Sequence, residues 1–168
     1  MTPYRNSRRA GNALIEFTLL GIPLLFTTTS IVAVSIDMWE YHCLAYASEA
    51  TARYITMHGA TCSQNSNSCT ITVGNVATYF KSQALALDPA QVIVNITDGS
   101  GTTTCNPANS CTASATRFPN AGYNSIGSDV TVKATYILKN PIAMFWPPNF
   151  DPPADFTVGA TSRQRILF

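Results

Sequence analysis

Charge is scarce in this sequence. Only 11% of its 168 residues are Asp, Glu, Lys or Arg, and the net charge is +1. So weak a positive field argues against nucleic acid as a partner. Histidine is scarcer still, with His42 and His58 alone, and neither stands at a ligand spacing from the cysteines, so no metal or other cofactor is expected. The chain has no phosphate-cradling glycine loop, no HExxH and no GxSxG. Its nine acids are scattered. These absences point away from an enzyme and from a small-molecule substrate.

The distribution of what charge there is says more. Arg5, Arg8 and Arg9 stand close to the start, and no Lys or Arg follows until Arg53. From Leu14 to Ile36 run 23 residues of which only Glu16 is charged. A helix of that length covers about 35 Å, enough to cross a hydrocarbon core ~30 Å thick. The arginines ahead of it place the N-terminus in the cytoplasm and the rest outside. Glu16 lies near the cytoplasmic edge, where a carboxylate costs less than the ~3 kcal/mol expected at the bilayer centre. If the chain is cut after Gly11, the new amine on Asn12 lies one helical turn from Glu16, on a shared face. The amine of a neighbouring subunit could also reach it.

A basic leader, a glycine, a glutamate five residues on and an apolar helix form the processing pattern of type IV pilin-like precursors. The longer match of Gly11-Asn12-Ala13-Leu14-Ile15-Glu16-Phe17, Pro23-Leu24-Leu25 and Ala50-Thr51-Ala52-Arg53-Tyr54 resembles the TadE-like family of the tight-adherence pilus system. The resemblance covers about Arg8 to His58. It implies a minor pseudopilin or assembly factor of a type IVb pilus, processed by a prepilin peptidase and partnered by other pilins or pseudopilins. It also implies a bacterial inner-membrane protein, single-pass, with its C-terminal domain in the periplasm until it enters a pilus. Tyrosine often follows the glutamate in the major pilins of that system. Phe17 stands here, and the chain is longer, which favours an accessory subunit.

Cutting has a physical rationale. The leader holds three of the ten basic residues and no acid, so removing it leaves seven basic and nine acidic side chains and a net charge of −2. Dragging three arginines through the bilayer midplane would cost on the order of 8–10 kcal/mol by insertion scales. Two other readings compete: an uncut anchor that presents a binding domain, and a secreted enzyme or toxin cut near Ala33-Val34-Ser35.

The expected fold is α+β and pilin-like: a long N-terminal helix whose outer half packs on a small antiparallel sheet with a short helix inserted. Residues 1–11 read as a leader without regular structure, 12–36 as the transmembrane helix, 37–59 as its extracytoplasmic continuation and 60–168 as the periplasmic domain. Pro23 predicts a bend, either as a plain kink or as a soft point. Cys43, Ala47, Ala50, Tyr54 and Met57 share one helical face. Glu49 and Arg53 form an i,i+4 pair. Thr70 to Val73 predicts a strand, Asn75 a helix cap, and Val76, Phe80, Ala84 and Leu87 an apolar helix face. Gln91–Thr97, Ser128–Lys139 and a run from Phe156 toward Ile166 predict strands. Residues 98–127 read as one long Gly/Ser/Thr/Asn-rich loop.

Five cysteines follow the span, on the oxidising side. Cys62 with Cys69 and Cys105 with Cys111 are candidate local disulfides. An odd count leaves at least one thiol unpaired, and Cys43 is the candidate, either packed in place or reactive toward another subunit. The aromatics of residues 141–153 stand among prolines, where they either cover the sheet or form a docking patch.

Overall fold

A computed structural model describes residues 7–58, 71–139 and 155–167, with side chains from Leu14 onward. Cys62, Cys69 and the proline-aromatic stretch 141–153 lie outside the described residues. The chain divides into two units, Met1–Asp37 and Met38–Phe168, and the division falls inside the first helix, α1 (Ser7–Thr56).

In the first unit α1 begins at Ser7. Residues 7–11, expected to lack regular structure, are thus part of the helix. The helix also passes Pro23 without ending. The Pro23 nitrogen has no hydrogen to give the Leu19 carbonyl, and that missing bond alone does not interrupt the element.

The second unit is built on a four-stranded antiparallel sheet in the order β3-β2-β5-β6. These strands are β2 (Val92–Asp98), β3 (Gly101–Cys105), β5 (Asp129–Leu138) and β6 (Phe156–Arg165). A strand turns successive side chains to opposite faces, and the sequence obeys that period. Val92, Val94 and Ile96 of β2 and Val130, Val132, Ala134, Tyr136 and Leu138 of β5 are buried on one face. The other face of β5 carries Thr131, Lys133 and Thr135, and Arg163 and Arg165 stand across from Thr131 and Asp129. Asp129 receives Arg163 Nη2 at 2.7 Å and Arg165 Nε at 3.4 Å.

A two-stranded pair, β1 (Ile71–Thr72) with β4 (Arg117–Phe118), leads into helix α2 (Val73–Gln83). The expected cap, Asn75, is replaced by Thr72, whose hydroxyl accepts the Asn75 N–H at 3.2 Å. The helix starts two residues before Asn75 because the stretch just before β4 supplies further acceptors. Val73 N–H donates to Thr116 O at 2.8 Å and Gly74 N–H to Ser114 O at 3.1 Å, so the first turn has few orphan donors. This approach requires glycine: a Cβ on Gly74 would stand 2.7 Å from the Thr112 and Ser114 carbonyl oxygens.

The core joins α2's Val76 and Phe80, then Ala84 and Leu87, to the inner face of the sheet and to Leu44, Ala47, Ala52 and Ile55 of α1. Burying Phe80 alone contributes about 1.5–3 kcal/mol. The α1 face differs from the expected one. Leu44, Ala47, Ser48, Thr51 and Ile55 are buried, Cys43, Ala50 and Tyr54 are half-covered, and Met57 is 56% exposed. The stripe is rotated because Ser48 and Thr51 are small enough to bury, and Ser48 Oγ donates to Leu44 O at 2.8 Å.

Residues 98–127 are not one loop. They hold β3, a 3-10 turn (Ala108–Cys111) and β4. A disulfide joins Cys105 to Cys111 and ties the end of β3 to that turn.

Candidate functional site

The most unusual surface belongs to the N-terminal part of α1. Leu14–Thr56 contains an 18-residue window of mean hydropathy 2.0, none of it buried. This is one helix long and apolar enough to cross a membrane. From Leu14 to Ile36 every residue is exposed except Gly21, Ser30 and Ala33, which are half-covered. Leucine, isoleucine, valine and phenylalanine point outward on all sides, as suits a helix surrounded by lipid or by other helices.

Its threonine and serine hydroxyls are already satisfied. Thr27 donates to Leu24 O at 2.9 Å, Thr28 to the same carbonyl at 2.9 Å and Thr29 to Leu25 O at 2.9 Å. Ser30 donates to Phe26 O at 2.8 Å and Ser35 to Ile31 O at 2.8 Å. Each hydroxyl returns to a carbonyl three or four residues back, so none of these donors asks for water.

Gly11 and Asn12 lie inside α1, and Asn12 and Glu16 are one turn apart along it. Glu16 is exposed, and Phe17 is 75% exposed with its ring 3.7 Å from where a Cβ on Gly21 would sit. The structure places these four residues on one element, with Glu16 and Phe17 on the outside of it. Cys43 carries a free thiol and is half-buried. Among the described residues no group of three His, Cys, Asp and Glu side chains is placed to hold a metal.

The second unit has features that sequence reasoning did not single out. Tyr54 of α1 stacks on Tyr79 of α2, with centroids 4.3 Å apart and planes 10° from parallel. Beside this stack lies an open groove of about 370 Å³, lined by Tyr46, Glu49, Ala50, Arg53, Tyr54, Met57 and Tyr79. Glu49 and Arg53 form the expected ion pair on its wall. The signal was present in the sequence: Tyr46, Ala50, Arg53 and Met57 recur at spacings of 4, 3 and 4, the same helical stripe.

Asp98 is the other missed residue. It is 6% exposed and ends β2 at the tight hairpin into β3. Its Oδ2 accepts Asn120 N–H at 2.8 Å, and its Oδ1 accepts the Ser100 hydroxyl, Ser100 N–H at 2.8 Å and Gly101 N–H at 3.2 Å. Burial pushes the carboxyl up, but the four donors outweigh it and hold the group below the ordinary carboxylate range. On the half-buried Asp129, the bond from Arg163 does the same. At the opposite end of the sheet, burial raises Tyr136, and the charge of Glu40 adds to that. These groups fasten loops and strands. They do not form a reactive set.

No protein-family model, curated protein or solved structure matches this chain.

Proposed function

We propose that this chain is a TadE-like minor pseudopilin or assembly factor of a tight-adherence pilus, cut by a prepilin peptidase between Gly11 and Asn12. The observation that carries this reading is the stretch from Leu14 to Ile36, exposed on every side, with Glu16 as its one charge, one helical turn from Asn12. A helix with that surface needs lipid or other helices around it. The acid near its start gives the new amine of the cut chain, or of a neighbouring subunit, a counter-charge at low dielectric.

In this reading the protein is not an enzyme. It sits single-pass in a bacterial inner membrane, leader inside and Met38–Phe168 in the periplasm. Loss of Arg5, Arg8 and Arg9 then lets α1 leave the bilayer and pack laterally with other pilins. N-terminal sequencing of the membrane-bound protein tests the reading. Asn12 as first residue is the expected result. An intact leader would make the chain an uncut anchor, and a start near residue 36 would make it a secreted protein.

A further inference from the structure

One end of the Met38–Phe168 unit gathers exposed apolar side chains from three separate parts of the chain. Tyr136, near the end of β5, fixes where they lie: its phenol meets the Asp88 backbone and the charge of Glu40. Trp39 precedes Glu40 on α1 and is 65% exposed. Leu85, three residues before Asp88 in the turn after α2, is 89% exposed. Phe156 opposes Leu138, two residues beyond Tyr136, and is 61% exposed. We infer that this end is a lipid-docking face: Trp39, Leu85 and Phe156 rest in the headgroup layer of the bilayer. The inference rests on the reading of Leu14–Ile36 as a membrane span, and not on cleavage at Gly11.

The chain itself selects this occupant. Trp39 lies three residues past Ile36, the last of the apolar run, and that is at most about 11 Å of chain. At the helical rise it is about 4.5 Å, inside a headgroup layer roughly 5–7 Å thick. Inserting the run therefore brings the end of the unit that bears Trp39 against the lipid surface. Tryptophan favours that layer, because its ring is apolar and its N–H is polar. Leucine and phenylalanine bury apolar area at the boundary of headgroups and acyl chains.

The hairpin end of the same sheet also exposes apolar residues, Ile126 and Leu167. They stand within three residues of the Asp129–Arg165 ion pair, and no apolar run joins the unit there among the described residues. The face near Tyr136 is thus the one that the span delivers to lipid. A span and a docked face on one chain reinforce each other, because the span holds the face at a high local concentration of lipid. The contact keeps the unit at the membrane and must break before the chain leaves the bilayer.

The test places the full chain, one copy per disc, in nanodiscs of phosphatidylcholine brominated along its acyl chains. A fluorescent amino acid replaces Leu25, Leu85, Ile126 or Phe156, one at a time. Bromine should quench the probe at 85 about threefold more than the probe at 126, while iodide in the water should quench 126 more. Leu85→Asp, at so exposed a side chain, should leave circular dichroism unchanged and release a probe at 156 from bromine by about threefold. The probe at 25 reports the span itself. If bromine reaches neither 25 nor 85, the membrane reading falls and the face with it. Quenching at 25 but not at 85 overturns the face alone. Lys139 and Asp155 also stand at this end, and they bound the chain's own stretch outside the described residues. Shielding of 85 from both bromine and iodide would assign the cover to that stretch and overturn docking on lipid.

Discussion

Four donors converge on the Asp98 carboxylate, and they join three pieces of chain: the end of β2, the turn into β3 and the stretch after β4. Asp98→Asn turns one acceptor into a donor facing Asn120 N–H, and should cost about 1–3 kcal/mol. The sign of the pH dependence follows from the lowered carboxyl. Its stabilisation is complete above the unfolded value, near 3.9, and is lost as pH falls through the lower folded value. The urea midpoint of the parent should fall more steeply below about pH 4 than that of Asp98→Asn, whose curve should be flatter. Equal slopes would remove Asp98 from this role. Gly74 offers a second test. Gly74→Ala sets a methyl against two carbonyl oxygens that belong to the backbone, so the start of α2 or the turn must shift. A loss of about 1–3 kcal/mol, read from the thermal midpoint, is expected. Neither residue was legible beforehand. Asp98 read as the start of a loop because its tie to Asn120 spans 22 residues, and Gly74 drew no reading because the carbonyls beside it come from Thr112 and Ser114.

At the scale of elements, legibility follows burial. β5 was plain in the sequence because one of its faces is sealed, and alternation is then forced on the residues. β3 was hidden. Its Gly-Thr-Thr-Thr-Cys has no apolar face to alternate, and it is a strand because β2 offers it a ladder from Val94 to Asp98. The buried stripe of α1 was misjudged for a related reason: Ser48 and Thr51 look solvent-facing, yet their size matters more than their polarity where the helix meets the core. The Cys105–Cys111 bond then holds β3 to the 3-10 turn whose following residues cover Gly74. Closing so short a loop restricts the unfolded chain by roughly 2 kcal/mol. Replacing both cysteines by serine should lower stability by about that amount in urea titration, with β3 and the turn losing amide-exchange protection before β5 does.

The whole molecule consists of two units with opposite relations to solvent. Among the described residues, the Met38–Phe168 unit holds the buried apolar core, and the run from Leu14 to Ile36 displays its apolar residues. That contrast was readable from composition, since a run with one charge in 23 residues admits few other surroundings. The groove between α1 and α2 was not, since it exists only once Tyr54 and Tyr79, 25 positions apart, are stacked. The scale of the whole chain is also where the leader matters. A Gly11 variant that resists the peptidase should keep its three arginines, remain in the membrane fraction and fail to appear in sheared pili, while the cut parent appears there. Uncut protein recovered from pili would break the link between processing and release.

The hydroxyls of Thr27, Thr28, Thr29, Ser30 and Ser35 each close on the backbone behind them. In the assembly proposed above, these hydroxyls would therefore have no polar debt to settle on passing from acyl chains to the flanks of neighbouring rods. Such a transfer would break none of these hydroxyl bonds, so the choice between the two media would be left to fit and to the lone acid at Glu16. A segment indifferent in this way can be handed from one phase to the other by small forces.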